Sequence, residues 1–448
     1  MKEFIKTLKN IWSVEDLKKR ILITLGLILI YRVGSFVVLP GVDIQVLNDQ
    51  SSGGSGGGIA SIINLFSGGA FGRASIFALG IMPYITASII MQLLGIAVPS
   101  IQKLQREGES GRNKINQYTR FLTIAICFLQ APGFIKMFVP AVARPDDSMM
   151  WWTSSILLLI AGTMFVMWLG EKITDKGLGN GISLIIMIGI IASLPVSFFQ
   201  ELGARHEMGG MVIILVEMVM FLLVILFSVL LVQGTRRVPL QFAKQIVGSR
   251  GGRAMQTQGG RRYLPLKVNA AGVMPIIFAQ ALMVLPGYIG QLSGSSWLTS
   301  TFSDMTGFWY NFTLALMIIL FTYFYTAITV NPNQMADELK RNGGFIPGVK
   351  PGRKTADFLD TLLSRITLPG SIFLALIAIL PAFAMMFGVK QSFAMFFGGT
   401  SLLIMVGVVL DTLQQVESHL LSRHYDGLMK SGRIKGRSGS LPGMGQAG

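Results

Sequence analysis

Cysteine is almost absent from this chain of 448 residues: Cys127 is the only one, and it lies inside an apolar run. That excludes a disulfide framework and a cysteine-rich metal cluster, and leaves Cys127 as a small packing residue. Histidine is nearly as scarce, and none of His206, His419 and His424 falls into a His-Glu-x-x-His or comparable ligand spacing. A Gly-x-x-x-x-Gly-Lys-Ser/Thr phosphate loop is missing too, so nucleotide hydrolysis is not written into the chain. Charged residues make up only 13%, and the acidic share is the poorer one, 22 against 38 lysines and arginines. The first twenty residues mix charge with apolar positions and read as an amphipathic start, not as a removable signal peptide.

What the chain has instead is apolar bulk: 51% of its residues are hydrophobic and the mean hydropathy is +0.59, a composition suited to lipid. A bilayer core takes about 20 apolar residues per helix. Windows of that kind fall at 21–39, 76–98, 121–139, 151–169, 182–199, 211–232, 270–289, 308–330, 368–389 and 393–410. The expected fold class is therefore an all-α membrane protein of ten transmembrane helices, which divide five and five in a way compatible with an inverted repeat. An even number of spans puts both termini on one side.

Lysine and arginine assign that side. They crowd the N-terminus and the loops after the second, sixth and eighth spans, while the opposite loops are nearly bare of them, with Lys136, Arg144, Arg205 and Lys390 among the few there. Positive charge gathers on the cytoplasmic face, so both termini are expected there. Two of the basic loops, at about 234–268 and 331–367, are longer than a helix connection needs. They read either as topology signals alone or as docking surfaces, and the glycines at 248, 251, 252, 259 and 260 favour docking. The tail at 430–448 is rich in Gly, Ser and basic residues and reads as disordered. On the other side, a Gly/Ser run precedes a half-length apolar piece at 59–71, which is either a re-entrant plugging segment or an interfacial helix.

Within the spans, ionisable residues are few. Arg32, Glu217 and Asp411 are the candidates, and each falls near a span end, where orientation or a helix contact explains it. This scarcity argues against an ion-coupled transporter. Branched aliphatic residues do recur at helical spacing: Ile81 with Ile85 and Ile182 with Ile186 are four apart, so each pair shares a helix face. Alone, such pairs point to lipid or to neighbouring helices. On composition and broken helices alone, a small-solute transporter is the first reading.

The motifs reverse that order. Phe66-Ser67-Gly68-Gly69-Ala70 and Ser75-Ile76-Phe77-Ala78-Leu79-Gly80-Ile81-Met82-Pro83-Tyr84-Ile85 are followed by Glu107-Gly108-Glu109-Ser110-Gly111-Arg112 and Gly179-Asn180-Gly181-Ile182-Ser183. Leu264-Pro265-Leu266-Lys267-Val268-Asn269 and Phe397-Gly398-Gly399-Thr400-Ser401-Leu402-Leu403-Ile404 complete the set. In this sequence and order they resemble the SecY family of protein-conducting channels, from the first span to the tenth. The resemblance implies two pseudo-symmetric five-helix halves, 1–206 and 207–429, hinged on one side with a lateral gate opposite.

It further implies a re-entrant plug at about 59–72 with Ile62, Ile63, Leu65, Phe66, Ser67, Gly68 and Gly69, and a pore ring of Ile81, Ile85, Ile182, Ile186, Ile277 and Ile404. The gate is expected between the second and third spans and the seventh and eighth, with Thr86, Gln130 and Gln280 as its polar members. Arg236, Arg237, Lys244, Arg250, Lys350 and Arg353 take the places where the family docks the ribosome and the SecA motor. At Lys350 the family usually carries arginine; lysine keeps the charge and loses the planar fork. The implied partners are SecE-like and SecG-like subunits, signal peptides, unfolded precursors and lipid, without a cofactor, in a bacterial inner membrane. The implied function is a passive channel for unfolded secretory proteins that releases apolar segments sideways.

Overall fold

The computed structural model describes residues 12, 14–43, 45–47, 64, 67–144, 148–207, 210–242, 246–250, 253–256, 261–293 and 296–430. Every one of the apolar windows is met by a helix. They are α1 (Glu15–Gly34), α2 (Met82–Ala97), α4 (Glu109–Phe138), α5 (Met149–Lys176), α6 (Gly181–Glu207), α7 (Met211–Gln233), α8 (Met274–Ser293), α10 (Phe308–Thr329), α12 (Arg353–Met386) and α14 (Gly399–Lys430). The short helices α3 (Pro99–Arg106), α9 (Ser296–Ser303), α11 (Pro332–Arg341) and α13 (Gln391–Ala394) lie between them. Seven helices among the described residues are long and apolar enough by themselves to cross a membrane. The pair α2 and α3 passes that test only together, bent by 103°. The bend falls at Pro99, which has no N–H to continue the ladder.

Helix ends are set by local chemistry. Glu15 and Asp16 complement the positive end of α1. Ser148 accepts the Trp151 N–H at 3.3 Å to start α5, and Asn331 accepts from Asn333 and Gln334 to start α11. At the start of α2 the chain turns through Gly80, at φ +54°, into a first turn that carries Pro83. The second window therefore holds turns up to Ile81 before its helix begins.

Among the described residues the membrane body is helix apart from the turns at 67–81 and the bridge of Val38 to Ser75, and the two long loops add a small sheet. Strand β1 (Thr235–Phe242) pairs antiparallel with β4 (Arg261–Lys267) and with β5 (Gly344–Phe345), while β2 (Ile246–Arg250) and β3 (Arg253–Gln256) form a separate hairpin. Val238, Leu240 and Leu266 turn inward and pack with Ile346, Leu359 and Leu363, which seats the sheet on the polar extension of α12. Both loops thus build one module.

Three apolar clusters fill the body. The central one draws on α1, α2, α5, α6, α7 and α14; a second joins the 67–81 turns to α4 and α5, and a third joins α8, α10 and α12. At Gly162 of α5 any Cβ would overlap the Ile76 carbonyl, so glycine lets that helix lie directly on the turns.

The junction of α6 and α7 is held by charge. Arg205 donates to Glu201 Oε1 at 3.0 Å from Nε, and to Glu217 Oε1 of α7 at 2.8 Å from Nη2. Glu201 Oε2 accepts the Lys390 N–H at 2.9 Å, and Arg205 also reaches the Phe387 carbonyl at 3.4 Å. The Arg205 side chain is 11% exposed and those of Glu201 and Glu217 are 3% and 9%. One buried guanidinium therefore fastens α6, α7 and the turn after α12 together.

Candidate pore and gate

Five of the six ring isoleucines meet in the central cluster: Ile81, Ile186 and Ile404 are buried in it, and Ile85 and Ile182 pack against it half-buried. Ile277 of α8 is half-buried and lies outside that cluster, next to Ile276 of the third. The positions follow from local geometry. Ile81 immediately precedes α2, and the Ile85 N–H reaches its carbonyl at 3.1 Å, so the two share a face.

The Gly179-Asn180-Gly181 turn positions Ile182 and Ile186. Asn180 Oδ1 accepts the N–H groups of Ile182 and Ser183 at 3.1 and 3.4 Å, which caps α6. The Gly179 N–H donates to Gln415 of α14 at 2.9 Å, Leu178 to Thr24 of α1 at 3.0 Å and Gly181 to Thr174 of α5 at 2.9 Å. Isoleucine side chains of this kind offer no ligand to an ion or to water.

Beside the collar sits the turn that contains Ser67, Gly68 and Gly69; Ile62, Ile63, Leu65 and Phe66 lie outside the described residues. Arg32 Nη1 and Arg73 Nη2 both donate to the Gly68 carbonyl, at 2.8 and 3.1 Å, and both guanidiniums stack on Phe36 at 4.9 and 4.4 Å. Burial, then the Arg32 charge, lowers the pKa of Arg73. Phe71 anchors the same turn between Phe134 and Phe138, with ring centroids at 4.9 and 4.6 Å. Gly68 has φ +64°, and a Cβ there would stand 3.0 Å from Gly189 Cα of α6. Gly68→Ala therefore strains the turn by about 1–3 kcal/mol. The expected result is faster labelling of a cysteine placed at Ser67 by a membrane-impermeant thiol reagent; unchanged labelling would mean the turn has another hold.

The expected gate residues do not bond to one another across the seam. Thr86 donates to Met82 of its own helix at 3.1 Å and Gln130 is exposed. Gln280 lines a cavity of about 50 Å³ with Tyr310, Asn311, Thr400 and Ser401, large enough for water. Sequence reasoning missed a different pair: Tyr325 Oη of α10 donates to Gln92 Oε1 of α2 at 3.0 Å. They are 233 residues apart and belong to no motif.

Of the docking residues, Arg236 and Arg237 are exposed on β1, and Lys350 and Arg353 are exposed at the start of α12. Thr355 Oγ1 donates to the Lys350 carbonyl at 3.0 Å and pins that turn. Arg250 ends β2, and Lys244 lies outside the described residues.

Isoleucines from the start of α2, from α6 and from α14, gathered into one apolar cluster with a tethered turn beside it inside a body of apolar helices, define a multi-pass membrane protein. A family model described as SecY matches residues 75–413. The chain belongs to the SecY family of protein-conducting channels, which are not enzymes, and that sets aside the small-solute transporter. It is 43% identical to the protein translocase subunit SecY of Mycobacterium tuberculosis over 450 residues, 95% of this chain and 99% of that one. To the protein of the same name from Streptomyces scabiei it is 42% identical over 443 residues, 94% of this chain and 98% of the relative. The solved structure of a protein conducting channel shares its fold at TM-score 0.61 and 17% identity, covering 92% of this chain and 95% of that one. Sec61 in the canine ribosome-channel complex does so at TM-score 0.55 and 15% identity, over 92% and 95%.

Proposed function

We propose that this chain is the central pore-forming subunit of a protein translocation channel, and that unfolded secretory proteins pass through the ring of Ile81, Ile85, Ile182, Ile186, Ile277 and Ile404. The observation that carries this is the gathering of five of these residues, from three helices far apart in sequence, into one apolar cluster. In the closed channel the collar is packed shut and the turn around Gly68 rests beside it as part of the plug. A translocating chain displaces the plug and spreads the collar, whose branched side chains make no sequence-specific contact. Any extended peptide is therefore a substrate.

The halves 1–206 and 207–429 move apart at the seam between α2 and α4 on one side and α8 and α10 on the other. A signal helix that parts the seam, passing Thr86, Gln130 and Gln280, exchanges water for lipid and gains about 25 cal/mol per Å² of apolar surface. The basic module carries Arg236, Arg237, Lys244, Arg250, Lys350 and Arg353 to the ribosome and to a SecA-like motor, through salt-sensitive contacts to ribosomal RNA phosphates in the first case. It faces the cytoplasm with both termini, in the bacterial inner membrane, and SecE-like and SecG-like subunits complete the channel.

The test is protease protection. Vesicles that contain the chain with its accessory subunits, supplied with the motor and ATP, should protect a secretory precursor, and vesicles without the chain should not. Equal protection in both would overturn the assignment.

A further inference from the structure

We propose that Arg32 and Arg73 form a binding site for a phosphate-type oxyanion, supplied either by a phospholipid headgroup or by free inorganic phosphate. Arg32 stands in the last turn of α1 and Arg73 in the turns at 67–81, and both donate to the Gly68 carbonyl, at 2.8 and 3.1 Å. Two nitrogens that share one acceptor oxygen stand close enough to share a second acceptor. The other nitrogens of both side chains make no hydrogen bond among the described residues, and Arg73 Nε is buried without a partner. Neither arginine lies within 4.0 Å of a carboxylate among the described residues. Gly68 and Gly69 make the close approach possible: a Cβ would stand 3.0 Å from Arg32 Nη1 at the first and 3.1 Å from Arg73 Nη1 and Nη2 at the second.

Arg205 is held by two carboxylates, but here two guanidiniums of like charge lie against one neutral carbonyl and the Phe36 ring, and they repel each other. A bound anion removes that repulsion and meets both charges at once. The shape of the donors selects the anion. A guanidinium is a planar fork that matches two phosphate oxygens at a time, and one tetrahedral group can accept from two forks, whereas a halide offers a single point. The site is open to such a ligand. Arg32 and Arg73 are half-buried, and Val33, Phe36, Val37 and Gly72 are exposed. The first three give the site an apolar flank against which acyl chains would pack, and Gly72 leaves a second side open to a free ion.

The test measures binding of radiolabelled inorganic phosphate to the full complex in maltoside micelles free of phospholipid, at constant ionic strength. Saturable binding is expected, weakened about tenfold or more in Arg32→Gln and in Arg73→Gln, because each removes charge-assisted hydrogen bonds. Lys176→Gln, at an exposed position at the end of α5, should bind as the parent does. Arg73→Lys keeps the charge and loses the fork, so it should bind more weakly than the parent while its thermal unfolding stays unchanged, which separates the site from folding. No saturable binding, or equal binding by the parent, Arg32→Gln and Arg73→Gln, would overturn the site and leave phosphate as an adventitious counter-ion of a basic chain. The same measurement in vesicles of phosphatidylglycerol and phosphatidylethanolamine tells the two sources apart. Phosphate binding that persists there assigns the site to the free ion, and binding that is lost there assigns it to the lipid headgroup, which has taken the site first.

Discussion

Replacing Arg205 with alanine lowers the stability of the folded chain by about 3–5 kcal/mol, the loss expected when one partner of a buried ion pair is removed. The cause is the company it leaves. Glu201 and Glu217, 3% and 9% exposed, would remain buried side by side with no cation between them, and Glu217 Oε2 already lacks a hydrogen-bond partner among the described residues. Arg205→Lys should lose less but still measurably, because an ammonium cannot reach both carboxylates and the Phe387 carbonyl with the fork that the guanidinium uses. Replacing all three members with apolar residues of similar volume should recover most of the loss, since buried ion pairs are often no better than good packing. Thermal unfolding of the purified complex in lipid checks the series. An Arg205→Ala protein as stable as the parent would mean that packing alone holds α6, α7 and the 387–390 turn.

Ile404→Asn, inside the collar, makes the closed channel leak. Ile404 is 7% exposed in the central cluster, and an amide there has no partner of its own. A buried unsatisfied amide costs about 1–3 kcal/mol, and water in the constriction relieves that cost. The wetted state gains about tenfold in population for every 1.4 kcal/mol, so passive ion flux through idle channels should rise on the order of tenfold or more. Ile404→Val, which keeps the collar apolar, should leave the leak near its basal level and isolates polarity from size. Flux measured across vesicles without motor or precursor makes the comparison, and an unchanged leak in Ile404→Asn would place the seal elsewhere, in the plug.

The spans were legible because hydrocarbon imposes a length and a composition. Their edges were less so. The windows 121–139 and 368–389 belong to helices that begin at Glu109 and Arg353, since a charged extension in water is still helix and hydropathy sees only the part in lipid. The first helix stops at Gly34, short of its window's end, and Val38 instead bridges to Ser75 in an extended stretch. In the long loop at 234–268 the glycines drew attention to turns, and the alternation of Val238 and Leu240 against exposed Arg237, Pro239 and Gln241 was the strand signal that went unread.

The site divides the same way. Ile81, Ile85, Ile182 and Ile186 were visible as pairs at helical spacing, but nothing in one sequence says that two such pairs face each other, and the family resemblance supplied that. Arg32 and Glu217 read in the sequence as orientation or helix contacts. Their roles, on the Gly68 carbonyl and on Arg205, depend on residues brought together only by folding. The bond between Tyr325 and Gln92 spans most of the chain, and no local pattern announces it.

The central claim is that the precursor travels through the isoleucine collar. The most direct measurement places a photo-reactive residue in turn at Ile81, Ile186, Ile277 and Ile404, stalls a secretory precursor during motor-driven transport and looks for adducts. Adducts from all four positions, absent at the exposed control positions Leu215 and Leu222 of α7, are the expected result. A translocating precursor that never touches these residues would contradict the account, and the path would have to be sought outside the collar.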